Sequence, residues 1–280
     1  MYQIIKYLKP IIKTIFYPYF CFEKKIKLKA IDKENPTVIM LFHDIGYENK
    51  DRYCITPQIF ETYINCFIKW NYKFVALDAV LEQLRNGGPY KEKQVVFTFD
   101  DGLEGIYTYG FELFKKYGIK PTIFLTEKYL NKHFYFSYNK IPSSEITEEE
   151  VSRYDGFKIS YLKDEQIKEL IHIGADIGAH TINHMHLTEL PDDLHYNEIT
   201  AIKSILDNRY RINVKNFAYP YGDFNAKSVR AAKKTYMSAV SIVPDTVKNC
   251  SNLYELPRIE GFRDELTFIR ELFYSIKRSS

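Results

Sequence analysis

Apolar positions along this chain follow two periods in turn. Short runs of β-branched, aliphatic and aromatic residues recur at 37–43 (Thr-Val-Ile-Met-Leu-Phe-His), 73–77, 94–100, 121–126, 175–179, 216–220 and 238–243. Bounded by polar residues, Gly or Pro, such runs predict buried strands, with a last extended stretch at 253–259. Between them, apolar residues spaced three or four apart predict helices over 57–70, 78–85, 105–117, 164–173, 196–210 and 226–235, with a terminal helix from about Asp264. Local chemistry marks several ends. Thr56-Pro57 supplies an N-cap and a proline at the first helical position, Asp78 is expected to cap its helix, and Gly118 and Gly174 stop theirs. A strand–helix–strand rhythm implies parallel strands with crossover helices. Seven or eight strands suggest an α/β fold, a distorted or incomplete (β/α) barrel of about seven strands.

The rhythm breaks at 127–160, a stretch rich in Tyr, Phe, Asn and Ser that also holds the acidic patch Glu145–Glu150. It lacks periodic apolar positions and reads as an insertion over a cleft, within one domain spanning 31–280. Residues 1–30 form a separate basic, aromatic segment with seven Lys and one Glu, whereas the rest of the chain carries 32 basic and 35 acidic residues. Pro10, Lys13 and Pro18 interrupt its apolar runs and no small-residue cleavage site follows. It therefore reads as neither a signal peptide nor a transmembrane helix. Two expectations remain for it: peripheral contact with an anionic membrane surface, or a basic helix packed on the domain. Without an export signal, the expected location is the cytoplasm or its membrane face.

Composition narrows the function. A net charge of +3 over 280 residues argues against nucleic-acid binding. The four cysteines, Cys21, Cys54, Cys66 and Cys250, have no Cys-x-x-Cys spacing and imply neither a zinc knuckle nor a disulfide framework. The high aromatic content (16%) suits a core and also the stacking of sugar rings.

The candidate chemistry lies just after strands. Gln94–Phe99 leads into Asp100-Asp101-Gly102, and Ala175–Ala179 leads into His180-Thr-Ile-Asn-His184; His43 and Tyr221 also follow strands. In α/β barrels, active sites assemble at these carboxyl ends. Taken alone, Asp-Asp-Gly is an ordinary turn. With a carboxylate at hand, His180 and His184 at i, i+4 would share one face if helical and bind a metal; His186, two residues on, would point elsewhere. Two protein nitrogens and one oxygen leave coordination positions for water and substrate. Adjacent acids allow one to bind and the other to accept a proton. His43 suits proton delivery to a leaving nitrogen, or else hydrogen-bonds Asp44. The Pro-Tyr-Gly turn at Tyr221 would expose backbone N–H groups to an oxyanion.

Thr98-Phe-Asp-Asp-Gly102, His180-Thr-Ile-Asn-His184 and Phe217-Ala-Tyr-Pro-Tyr-Gly222 together resemble, in order, three motifs of the polysaccharide deacetylases, the NodB-homology group of carbohydrate esterases. The resemblance covers roughly residues 36–262. It implies a distorted (β/α) barrel, Asp100 as general base, Asp101, His180 and His184 as ligands of a divalent metal (usually zinc), and the Tyr221 amide in an oxyanion hole. Two departures stand out. The third motif lacks the Arg that orients the base in many members, a task open to Arg258 in Leu256-Pro-Arg-Ile. No His follows residue 195, so the general acid would be His43 in Leu-Phe-His-Asp, as in the permuted branch that resembles bacterial poly-N-acetylglucosamine deacetylases. The implied activity is removal of N-acetyl groups from a glycan or sugar precursor. The alternatives are another C–N bond, an O-acetyl ester, or an inactive glycan-binding protein.

Overall fold

A computed structural model of the protein describes residues 37–47, 53–87, 92–137 and 144–261. The basic segment 1–30 and the helix expected from Asp264 lie outside the described residues. The strands are β1 (Thr37–Phe42), β2 (Asp44–Ile45), β3 (Cys54–Ile55), β4 (Lys73–Phe74), β5 (Gln94–Phe99), β6 (Thr122–Leu125), β7 (His133–Ser137), β8 (Ser144–Ile146), β9 (Phe157–Ser160), β10 (Asp176–Ala179), β11 (Asn216–Ala218), β12 (Ser238–Val240) and β13 (Ile259–Glu260). The α-helices are α1 (Pro57–Lys69), α2 (Leu77–Asn86), α3 (Phe111–Tyr117), α4 (Asp164–His172), α5 (Asp192–Tyr210) and α6 (Ala226–Thr235).

The main sheet runs β12-β11-β10-β6-β5-β1-β13, with β4 also on β5, and every pairing is parallel. It curls into the distorted barrel expected from the strand count. The chain from Leu253 to Gly261 spans its two edges. Leu256 exchanges hydrogen bonds with Ala239 and Ser241 beside β12, and Gly261 N donates to Leu41 O of β1. Alternation along the strands divides the core. Ile39, Val96, Phe124, Ala218, Val240 and Leu256 gather on the inner face with Leu77, Val80 and Leu81 of α2. Phe42, Phe97, Phe99, Ile123, Ile177 and Phe217 belong to the larger cluster shared with the other helices. Much of the aromatic content is structural: the Phe42 ring lies 5.3–5.4 Å from those of Phe60, Tyr63, Phe97 and Phe99.

Three elements differ from expectation. Asp78 does not cap α2, which starts at Leu77 with Ala76 at the cap; Asp78 sits in the first turn and pairs with Lys215 at 2.5 Å. The helix before Gly118 opens as a π-turn over Ile106–Gly110, where Gly110 lets the Phe114 ring approach closer than a Cβ would permit. Residues 133–160 hold an antiparallel sheet, β8-β7-β9, with Phe136 opposite Phe157.

Candidate metal and acid–base site

Parallel strands bring their carboxyl ends to one rim, so the residues that follow them converge. On β5, alternation turns Val96 inward and carries Thr98 and then Asp100 along the same face. A continued strand would send Asp101 the opposite way. Instead Gly102 N donates to Asp100 O at 2.9 Å across Asp101, whose φ is +70°: a γ-turn with the rarer, strained sign. That turn is why two adjacent carboxylates enter one cleft. Gly102 makes it feasible, because its φ is +73° and a Cβ there would lie 2.7 Å from the Leu125 side chain.

Asp100 is held from below. Arg258 Nη1 and Nη2 each donate to one of its oxygens at 2.7 Å, and Arg258 is itself fixed by Thr98 Oγ1 at 3.1 Å and Ser241 O at 2.8 Å. Both side chains are buried. Burial pushes the Asp100 carboxyl up, but the Arg258 guanidinium and His180 outweigh it and hold it below the ordinary range. A fork of two charge-assisted bonds fixes orientation as well as charge.

Asp101 Oδ1 lies 3.0 Å from His184 Nε2 and 3.5 Å from His180 Nε2, and one donor atom from each residue falls within 4.8 Å of the others. The histidines do not share a helical face. Residues 180–186 form an irregular loop with Thr181 at φ +65° and His184 at φ +56°, and this reversal turns the second imidazole back beside the first. His186 is directed away, stacked on the Tyr221 ring at 4.0 Å.

The donor set suits a cation. His180 Nδ1 contacts Ala218 O at 2.8 Å, and because a carbonyl only accepts, Nδ1 carries the hydrogen; Nε2, which faces Asp101, is then the nitrogen left to hold a cation once the ring is neutral. His184 Nδ1 contacts the Tyr221 hydroxyl at 3.0 Å, leaving its Nε2 toward the same oxygen. Asp101 Oδ1 is shielded from solvent yet has hydrogen-bond geometry to neither imidazole. Two imidazole nitrogens and a shielded carboxylate oxygen within 4.8 Å of one another fit a divalent ion with nitrogen and oxygen preference.

His43 follows β1, its ring lies 4.6 Å from that of Tyr53 at a tilt of 38°, and it lines the same cavity as Asp100, Asp101, His180, His184 and Tyr221, a space of about 800 Å³. Tyr221 adopts φ +57° and is about half exposed (53%). Its side-chain contact with His184 was not foreseen from sequence, where only the backbone was considered. Tyr129, Phe136 and Phe157, from the stretch expected over a cleft, line the cavity together with Tyr161, though none was singled out from sequence; the buried Glu198 behind the histidine loop was not foreseen.

Comparison with known proteins identifies the family and the fold. The polysaccharide deacetylase family model matches residues 87–240. YxkH of Bacillus subtilis is 27% identical over 223 residues, covering 79% of this chain and 70% of its own. The poly-beta-1,6-N-acetyl-D-glucosamine N-deacetylase of Staphylococcus epidermidis is 23% identical over 237 residues, covering 81% and 74%. The fold is shared with the Streptococcus pyogenes deacetylase PplD (TM-score 0.68, 21% identity, 86% of this chain and 98% of that one). It is shared as well with IcaB of Ammonifex degensii (TM-score 0.66, 17% identity, 87% and 97%). With more than half of its length matched by the family model and the same barrel around the site, the chain belongs to the polysaccharide deacetylase family.

Proposed function

We propose that the protein is a metal-dependent deacetylase that removes N-acetyl groups from a neutral, amino-sugar-containing glycan. The observation that carries this reading is the shielded Asp101 oxygen facing two imidazole nitrogens, one residue from an Arg-clamped carboxylate. A divalent ion held by Asp101, His180 and His184 would supply Lewis-acid polarisation of the acetamide carbonyl and acidify water near neutral pH. Zinc suits two nitrogens and one oxygen best. Asp100, ionised and oriented by Arg258, accepts the proton of the attacking water. The Tyr221 N–H donates to the developing oxyanion. His43 delivers a proton to the departing nitrogen as the C–N bond breaks, giving acetate and a free amine.

The Staphylococcus epidermidis relative, named for poly-β-1,6-N-acetyl-D-glucosamine, supports amino-sugar polymers as the first substrates to try. Charge supports neutral ones. Asp44, Asp100, Asp101 and Glu260 line the cavity, and no Lys or Arg does so among the described residues. A nucleotide-linked sugar would bring its diphosphate toward these acids.

The test is acetate release from N-acetylglucosamine oligomers, the nucleotide-linked sugar and an O-acetylated glycan, after chelation and again with zinc. Release from the neutral oligomers, restored by zinc and at least about tenfold above the nucleotide sugar, is expected. Faster release from the O-acetyl ester would move the activity to esters. Zinc uptake without release from any of them would leave a glycan-binding protein.

A further inference from the structure

The loop that carries both histidines is held by a residue outside the metal set. Glu198 lies on α5, buried beside Ile199 and Ile202 of the same helix. Its Oε2 accepts from Ile182 N at 3.0 Å and Asn183 N at 2.9 Å, and its Oε1 accepts from Asn183 Nδ2 at 2.6 Å. The next amide, His184 N, donates to Thr181 Oγ1 at 3.0 Å. Three consecutive backbone amides are thus claimed by side chains, and two of them by one carboxylate.

The loop needs such restraint. Thr181 and His184 both lie in the left-handed region, where a β-branched Thr is strained, and such conformations persist only where neighbours over-determine them. No Lys or Arg pairs with Glu198 among the described residues, so its buried carboxylate is compensated by this loop alone. A buried acid with three donors from a single five-residue segment has its energy invested in that segment's shape. The shape sets where His184 Nε2 falls relative to His180 Nε2 and Asp101 Oδ1.

We propose that Glu198 is a positioning residue: through the Ile182–Asn183 amides it sets the separation of the two histidines and thereby the protein's affinity for its divalent metal. This inference rests on the metal-binding reading of Asp101, His180 and His184. Groups that orient metal ligands without touching the metal commonly change affinity by about 10- to 100-fold when altered.

The test is zinc affinity by competition with a chromophoric chelator, on folded protein, with denaturant midpoints measured alongside. Glu198→Asp keeps the acid but withdraws it by one methylene from all three donors, and zinc affinity should fall by about 10- to 100-fold. Glu198→Gln keeps the reach and can rotate its oxygen to the two amides while Asn183 turns its own amide. It should stay within about threefold of the parent. Asn183→Ala removes only the third contact, made by an exposed residue, should still fold, and should weaken zinc several-fold. If Glu198→Asp or Asn183→Ala lowers the denaturant midpoint but leaves zinc affinity unchanged, Glu198 is a structural acid only and the proposal fails. Should Glu198→Asp not fold, Asn183→Ala decides alone. Absence of zinc binding by the parent protein would instead overturn the metal reading itself.

Discussion

Replacing Arg258 with Met should expose how much of the site depends on one buried ion pair. The two charges meet through paired 2.7 Å contacts, with side-chain exposures of 0% for Arg258 and 4% for Asp100. At an effective dielectric of about 20, opposite charges 4 Å apart interact by about 4 kcal/mol, and removing one partner of a buried pair costs about 3–5 kcal/mol. The effect should depend on pH, with a sign that follows from Asp100. In the parent its carboxyl is held low, so its contribution is present above the ordinary carboxylate range and lost as pH falls through the depressed value. Without Arg258, burial meets much weaker opposition and drives the carboxyl up. The variant is then most destabilised where Asp100 must ionise, and recovers as acid protonates it.

The assay is urea unfolding of metal-free protein between about pH 5 and pH 9. A loss of about 3 kcal/mol at the alkaline end, shrinking toward the acid end, is expected. In turnover, the acid limb of the kcat/KM profile should move up by about 2 pH units, since each unit corresponds to about 1.4 kcal/mol. Asp100→Asn combined with Arg258→Met should regain much of the stability, because no buried charge is left alone. A cost below about 1 kcal/mol that is the same at every pH would refute this reasoning.

Two further outcomes follow from other parts of the fold. Burial, with Asp78 adding to it, pushes Asp176 up to about 6 from an ordinary value of 3.8. The folded protein keeps a proton that the unfolded chain has released, so stability is greatest below the ordinary value and falls as pH rises toward 6. Asp176→Asn, which can still accept from Asn216 Nδ2, should flatten that fall and stabilise the protein above pH 6 by up to about 3 kcal/mol in denaturant titrations. Gly102→Ala places a methyl 2.7 Å from Leu125 in a left-handed residue beside Asp101; it should cost about 1–3 kcal/mol in unfolding and weaken zinc in the chelator competition.

The parallel barrel was legible because apolar runs and helical spacing are local, and the rim that carries the candidate site followed from where the runs end. Contacts between distant segments were less so. Arg258 lies 158 residues from Asp100, and only the missing Arg of the third motif drew attention to it. The His180–His184 spacing suggested a helical face. The pair does converge, but through left-handed Thr181 and His184, which nothing in the residue types announces. The sheet at 133–160 was overlooked because Phe134, Tyr135 and Phe136 place rings on both faces and mask the period of two. Nothing in the sequence singles out Glu198 on its helix, since the loop that needs it is brought there by the tertiary fold.

The division of labour between two adjacent acids is tested most directly by measuring bound zinc and acetate release side by side in Asp100→Asn and Asp101→Asn. Asp100→Asn should keep about one zinc per chain and lose turnover by about 10²–10⁴-fold, as expected for removal of a general base. Asp101→Asn should lose both. Full turnover by Asp100→Asn, or stoichiometric zinc in Asp101→Asn at unchanged affinity, would contradict the assignment of the pair.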